Sequence, residues 1–449
     1  MFNTISRRSL LTGMGAAAMA AGLTACGGGN TPAPEGSGAT KGGASGAGVE
    51  LTYMFRGGAD EREAYNKAIA QFEKQTGAKV KVIVTDADQY RTKLQAAITG
   101  NQVPDVFYLE QGSVMAFAKN GVVRNISPDI ESAGLDISKI WKYGVDSYRF
   151  DGDRVGQGDI YGLPKDVGPF SFGYNKTMFE KAGIPLPDKD KPYTWAEFRD
   201  VAKRLTTGEQ WGTGLNVVWN LQAWVWSNGG DWADAERRTV TINTPEFAEA
   251  LQDFADIQLV DKSTPSIEQA QTMDTYQRWM RGQIGFFPVG PWDVSTYQKL
   301  DFDWDLIPYP VGKTGQTATW LGSLGISVSN KTKHPELATQ LAMFLSADED
   351  AQRSLYQAGV QIPNLVDMAK GEYLKQEGKP VNREEFVKIA DQYGRALPAA
   401  ATWSPEWYDD FWVDIQQVLD GKVTAAEWLP AVQTRMQQKL DQANQAAGR

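Results

Sequence analysis

Apolar residues recur along this chain with two periods, and each change of period marks an element. They alternate from Glu50 to Phe55, which predicts a strand ended by Gly57-Gly58. From Asp60 to Gln75, Ala64, Tyr65, Ala68, Ile69 and Phe72 share one helical face, and Gly77 stops the helix. Val80, Val82 and Val84 alternate again, and Gln89 to Ile98 predicts a second helix ended by Gly100. Asp105 to Leu109 is a short apolar strand, followed by a helix from Val114 to Lys119. Strand–helix alternation of this kind predicts parallel strands with helices on both sheet faces.

Further on, Asp151-Gly152-Asp153 and Gln157-Gly158-Asp159 punctuate a hairpin. A calcium loop would need a Glu at its twelfth position, where this chain has Gly162, so a turn is expected. Phe170, Phe172 and Tyr174 alternate as a strand at a candidate lobe crossing. Helices are predicted from Trp195 to Leu205, capped by Thr194, and from Pro245 to Leu259, capped by Thr244. Ile284–Phe287 and Trp304–Ile307 read as strands, and the tail from Glu406 is mostly helical. The body spans about 400 residues, long for a single core. Two α/β lobes that share the chain discontinuously fit this order.

The first 25 residues predict a cleaved export signal: a positive start, a short apolar run and small residues before a cut site. Ser6-Arg7-Arg8-Ser9-Leu10-Leu11 resembles a twin-arginine signal, and Leu23-Thr24-Ala25-Cys26 resembles a bacterial lipobox. The lipobox implies cleavage before Cys26 and a diacylglycerol thioether on its sulfur. Gly27 to Gly48 is nearly all Gly, Ala, Ser, Thr and Pro, a flexible tether with a reach on the order of 25 Å.

Composition removes several classes of function. The formal charge is −10, so an acidic body is a poor nucleic-acid partner. Cys26 is the one cysteine, which excludes internal disulfides and thiolate metal sites. The one histidine, His334, precedes an amphipathic helix and reads as a loop residue, which argues against zinc and Ser-His-Asp chemistry. No phosphate-binding Gly-x-x-x-x-Gly-Lys-Ser/Thr loop occurs. No metal and no cofactor are expected. The unusual total is aromatic: 15 Trp, 16 Tyr and 18 Phe, many of them in Gly-, Asn- or Asp-rich settings.

Several segments in order resemble the bacterial extracellular solute-binding proteins of the maltose/maltodextrin-binding type. They include Phe72-Glu73-Lys74-Gln75-Thr76-Gly77, Pro104-Asp105-Val106-Phe107-Tyr108, and Tyr161-Gly162-Leu163-Pro164 followed by Tyr174-Asn175-Lys176. Ser227-Asn228-Gly229-Gly230, Gly290-Pro291-Trp292, Trp320-Leu321-Gly322-Ser323 and Asp420-Gly421-Lys422 continue the series. Together with the lipobox they are nearest to oligosaccharide-binding lipoproteins of actinobacteria. The resemblance implies the type II periplasmic-binding-protein fold, with a ligand clamped between hinged lobes. It places residues 49–167 with 309–348 in an N-terminal lobe and 168–308 with 349–449 in a C-terminal lobe. Crossings are implied near Gly168–Phe172, Ile307–Pro310 and Ala347–Ala351. The implied protein is a monomer, lipid-anchored outside the cytoplasmic membrane, that delivers an oligosaccharide to the transmembrane subunits of an ATP-binding-cassette (ABC) permease. Alternatives are a lipid-anchored glycoside hydrolase and a binder of a non-sugar solute.

A sugar offers an apolar C–H face and a rim of hydroxyls, so its site wants Trp or Tyr beside carboxylates, amides, Lys and Arg. Trp219, Trp224 and Trp226 lie in the densest aromatic run. The resemblance implies stacking aromatics at Trp219 and Trp292, one at Trp320 in a cleft-facing loop, and a last one from the tail among Trp403, Trp407 and Tyr408, of which Trp403 is taken. Polar candidates are Arg56, Asp86, Gln89, Glu110 and Gln111, which follow predicted parallel strands, where ligands collect. Lys165 and Asp166 lie near the first crossing, and Asn364 resembles a cleft-rim residue. Gly168 stands where the maltodextrin-binding pattern has an acid, which bears against maltose itself.

Overall fold

The structure is a computed structural model that describes residues 46–449, apart from Asn216 and the side chains of Val217, Val218, Trp219 and Ile267. The export signal, Cys26 and most of the tether therefore lie outside the described residues.

The alternating segment forms β1 (Glu50–Arg56), followed by a helix (Ala59–Thr76), β2 (Lys79–Thr85), a helix (Ala87–Thr99) and β3 (Val106–Glu110). The residues that the long first helix buries are Ala64, Tyr65, Ala68, Ile69 and Phe72, the face its apolar spacing predicts. Gly77 ends it in the left-handed conformation (φ 75°) that glycine adopts without a Cβ clash. Both β2 and β3 pair parallel to β1. Helices Trp195–Leu205 and Pro245–Leu259 begin where Thr194 and Thr244 accept backbone N–H bonds, and Glu197 completes a capping box with Thr194. Asp151 accepts from the N–H groups of Asp153 and Arg154 in the expected hairpin turn.

Apart from a small two-stranded hairpin (Arg149–Phe150 with Asp159–Ile160), the later strands divide between two sheets. Strand β4 (Leu163–Pro169) belongs to the first sheet and β5 (Ser171–Asn175) to the second. The second sheet also holds β6 (Trp211–Thr213), β7 (Ile284–Val289) and β8 (Trp304–Ile307). The chain returns to the first sheet as β9 (Thr319–Val328), and β10 (Gly394–Arg395) pairs beside its start. The order is β10-β9-β3-β1-β2 in the first sheet, with β4 also on β9, and β8-β5-β7-β6 in the second. Phe170 is the single residue between β4 and β5, so the chain changes sheet there. Helices Pro335–Ala347 and Glu349–Gln357 both bury residues in the core around the first sheet, Ala351 and Leu355 included. Packing therefore does not change at Ala347–Ala351, because the apolar face of the second helix continues that core.

Candidate functional site

Where β4, β5 and β9 meet, three aromatic rings form a wall. Phe170 and Trp292 stack nearly parallel, with centroids 5.9 Å apart and planes at 9°. Trp320 stands edge-on to both, 5.5 Å from Phe170 and 6.0 Å from Trp292. Both tryptophans are half-buried. Trp320 is the register partner of Arg395, and partners on paired strands project to the same side. The Arg395 guanidinium lies 4.9 Å over the Trp226 ring and 2.6 Å from the Asp231 carboxylate. That carboxylate also accepts from Trp226 Nε1 at 3.1 Å.

A second group lies at the carboxyl ends of β1 and β3. Arg91 Nη2 donates to Glu110 at 2.9 Å, and Arg56 pairs with the other oxygen of Glu110 at 3.7 Å. Arg91 also pairs with Asp409 at 3.7 Å, which ties this edge to the C-terminal segment. Gln111 donates to the hydroxyls of Tyr143 and Ser147, both at 2.8 Å. Asp86 and Gln89 are exposed on the neighbouring helix start. Tyr90, Arg91, Tyr108, Glu110, Ser113 and Pro405 line a recess of about 190 Å³. Its mixed lining of phenol rings, guanidinium and carboxylate suits a polyhydroxylated ligand.

Lys165 and Asp166 are not surface charges. They are 1% and 6% exposed. Lys165 Nζ lies 2.6 Å from Glu61, 2.9 Å from Asp166 and 5.4 Å from the Tyr65 ring centroid. Burial alone would lower its pKa, but Asp166 and Glu61 outweigh burial and hold it above the usual lysine value. The three side chains form a largely buried ion cluster. Nearby, Lys299 Nζ donates to Asp60 at 2.9 Å. Burial, and then the facing Glu61 carboxylate, push the Asp293 pKa up to about 7.

Three further candidates, Trp224, Trp226 and Asn364, are buried. Trp224 is fully buried, donates to Asp253 at 3.1 Å and meets Phe198 and Phe254 edge-on, so it is a core residue. It sits mid-helix in Val217–Ser227, and that helix turns its ring toward Pro245–Leu259. Trp226 is 4% exposed and supports Arg395 from below. Asn364 is fully buried and donates to the carbonyls of Pro164 (2.8 Å), Lys165 (3.1 Å) and Ser346 (3.1 Å), a structural amide rather than a rim residue. Trp403 is half-buried and packs edge-on to Phe150, with Lys119 5.0 Å and Arg449 5.6 Å from its ring. The Trp219 side chain lies outside the described residues. The sequence reading missed Phe170, Glu61, Asp293, Arg91 and Arg395. Phe170 and Asp293 adjoin motifs already singled out. Arg395 carried no local signal.

Residues 58–352 match the family model of the bacterial extracellular solute-binding proteins. The chain belongs to this family. Among its relatives is the diacetylchitobiose binding protein DasA of Streptomyces coelicolor, 24% identical, with 80% of this chain and 82% of that protein aligned. The galactooligosaccharide-binding protein of Bacillus subtilis is 23% identical, with 79% and 80% aligned. In three dimensions the chain is similar to the ABC substrate-binding protein Lmo0181 of Listeria monocytogenes, solved in complex with cycloalternan. The TM-score is 0.79 at 27% identity, covering 88% of this chain and 99% of that one. The GacH receptor of Streptomyces glaucescens shares the fold at a TM-score of 0.71 and 19% identity, covering 88% and 98%. The solute-binding protein described here thus has the two-lobe α/β fold of type II periplasmic binding proteins. Its family consists of extracellular binding proteins rather than enzymes. No helix among the described residues is long and apolar enough to cross a membrane.

Proposed function

We propose that this protein captures an oligosaccharide between its two lobes and delivers it to an ABC permease. The observation that carries this reading is the half-buried wall of Trp292 and Trp320, backed by Phe170, at the point where the chain changes sheet. Indole faces cover the apolar side of a pyranose, and Glu110, Arg56, Arg91 and Gln111 offer partners for its hydroxyls. Relatives named for diacetylchitobiose and galactooligosaccharides, and a structural neighbour holding cycloalternan, support a carbohydrate ligand. Ligand contacts to both lobes would favour the closed arrangement, with the strand crossings as the hinge. The body acts as a monomer outside the cytoplasmic membrane, held by a lipid on Cys26 and a flexible tether. The power-driving ATPase is a separate protein.

The test is a thermal-shift panel of malto-, xylo-, galacto- and raffinose-type oligosaccharides, followed by calorimetry and analysis of the recovered sugar. Binding raises the melting temperature by mass action and returns the sugar intact. Shortened products would make the protein a glycoside hydrolase. Stabilisation by a peptide or polyamine, with none by any sugar, would make it a binder of another solute.

A further inference from the structure

The two indoles of the wall fold back over glycines two residues away in their own chain. A Cβ built on Gly290 would stand 2.2 Å from the Trp292 ring, and one on Gly322 would stand 2.3 Å from the Trp320 ring. At each of these glycines the three nearest atoms all belong to that indole. Gly168, on β4, also meets Trp292: a Cβ there would lie 3.1 Å from Cζ3, with the next neighbour at 3.7 Å.

The backbone does not explain glycine at these positions. Gly290 has φ −97° and ψ 156°, a conformation open to any residue. Neither Gly168 nor Gly322 is among the positive-φ glycines. What the three share is an aromatic ring lying where a side chain would begin. Tryptophan side chains occupy discrete staggered wells. A Cβ at 290 or 322 would therefore drive the indole into another well, while one at 168 asks for a shift of only a few tenths of an ångström.

We propose that Gly290, Gly322 and Gly168 are positioning residues that seat Trp292 and Trp320 and so set the face the cleft presents to its ligand. This rests on the reading of those indoles as ligand-facing. The seats hold the two rings at 65° to one another, with Phe170 closing the back of Trp292. The ligand meets a corner of fixed angle instead of two mobile plates, so less side-chain freedom is lost on binding.

The experiment compares Gly290→Ala, Gly322→Ala and Gly168→Ala with Trp292→Ala and Trp320→Ala. Calorimetry gives affinity for the strongest binder of the oligosaccharide panel, and near-ultraviolet circular dichroism reads the coupled indole pair. Melting temperature reports the fold. Gly290→Ala and Gly322→Ala should each lose ten-fold or more in affinity and change the near-ultraviolet signal, with melting within a few degrees of the parent. Gly168→Ala should lose about two- to five-fold. Adding Trp320→Phe to Gly322→Ala, a smaller ring in the same seat, should recover part of the loss. If a variant fails to fold, Gly168→Ala still decides, since its contact needs so little movement. Parent-like affinity in all three glycine variants, with a ten-fold loss in Trp292→Ala, overturns the seating role and leaves the sugar site standing. Parent-like affinity in both tryptophan variants, or no binding of any sugar, removes the ligand-facing reading and this inference with it.

Discussion

Lys165 Nζ and Glu61 Oε1 lie 2.6 Å apart, joining strand β4 to the first turn of the helix Ala59–Thr76. Asp166 holds the same ammonium at 2.9 Å. Lys165→Met should destabilise the protein by about 3–5 kcal/mol, because it strands two carboxylates in the interior. Urea denaturation measures the loss. Adding Glu61→Gln and Asp166→Asn should restore much of it, since no uncompensated charge then remains. No recovery in the triple variant would show that packing, not charge, dominates.

Trp292 and Trp224 should respond to truncation in opposite ways. Trp292→Ala removes a half-buried side chain and should weaken oligosaccharide binding by about 1–3 kcal/mol with little change in stability. Trp224→Ala opens a cavity against Phe198 and Phe254 and should lower stability by about 3–5 kcal/mol. Its affinity, measured where the variant is still folded, should match the parent. Calorimetry and urea titration on the same samples separate the two effects.

Asp293 should make stability depend on pH. Its pKa is raised from 3.8 to about 7 in the folded protein. The folded state therefore holds this proton between about pH 4 and 7 while the unfolded chain has released it. Stability falls as pH rises through that window. The groups around Asp293 include Glu61, whose own partner is Lys165, with the Asp60–Lys299 pair nearby. In Asp293→Asn the drop in unfolding free energy from pH 5 to pH 7.5 should be smaller than in the parent. Identical slopes would mean that the carboxyl titrates in its ordinary range.

Asn364 joins three backbone carbonyls, and its own N–H donates to Gln352 Oε1 at 2.7 Å. Asn364→Ala should cost about 1–3 kcal/mol, the usual penalty for stranding buried acceptors. Asn364→Asp should cost more, since it turns a carboxyl oxygen toward those carbonyls in place of a donor. Thermal melts of the two variants rank them directly.

Cys26→Ser should release the protein into the medium of the producing cells. Wild-type protein should take up a labelled fatty acid and remain with the membrane fraction. Equal membrane retention of both forms would overturn the lipid anchor.

Local elements were legible wherever periodicity and caps agree. The helix Ala59–Thr76 buries its five predicted residues, and Thr194 and Thr244 cap as their positions suggest. Parallel pairing of β1 with β2 and β3 followed from alternation alone. The site was legible only in part. Trp292 and Trp320 meet, but the burial of Lys165 and Asp166 was not legible, because their partner Glu61 lies about a hundred residues earlier in the chain. Trp224 and Trp226 looked alike by composition, yet Trp224 is sealed in the core and Trp226 carries a guanidinium.

What the sequence by itself determined is what depends on neighbours within a few residues: period, caps, glycine stops and the family-like order of segments. The solvent exposure of a given indole or carboxylate depends on strands and helices distant along the chain. Only their packing decided that three aromatics would share one corner, and that a lysine four residues before Pro169 would be sealed between two acids. Burial free energy is a property of the assembled surface, and no local pattern carries it.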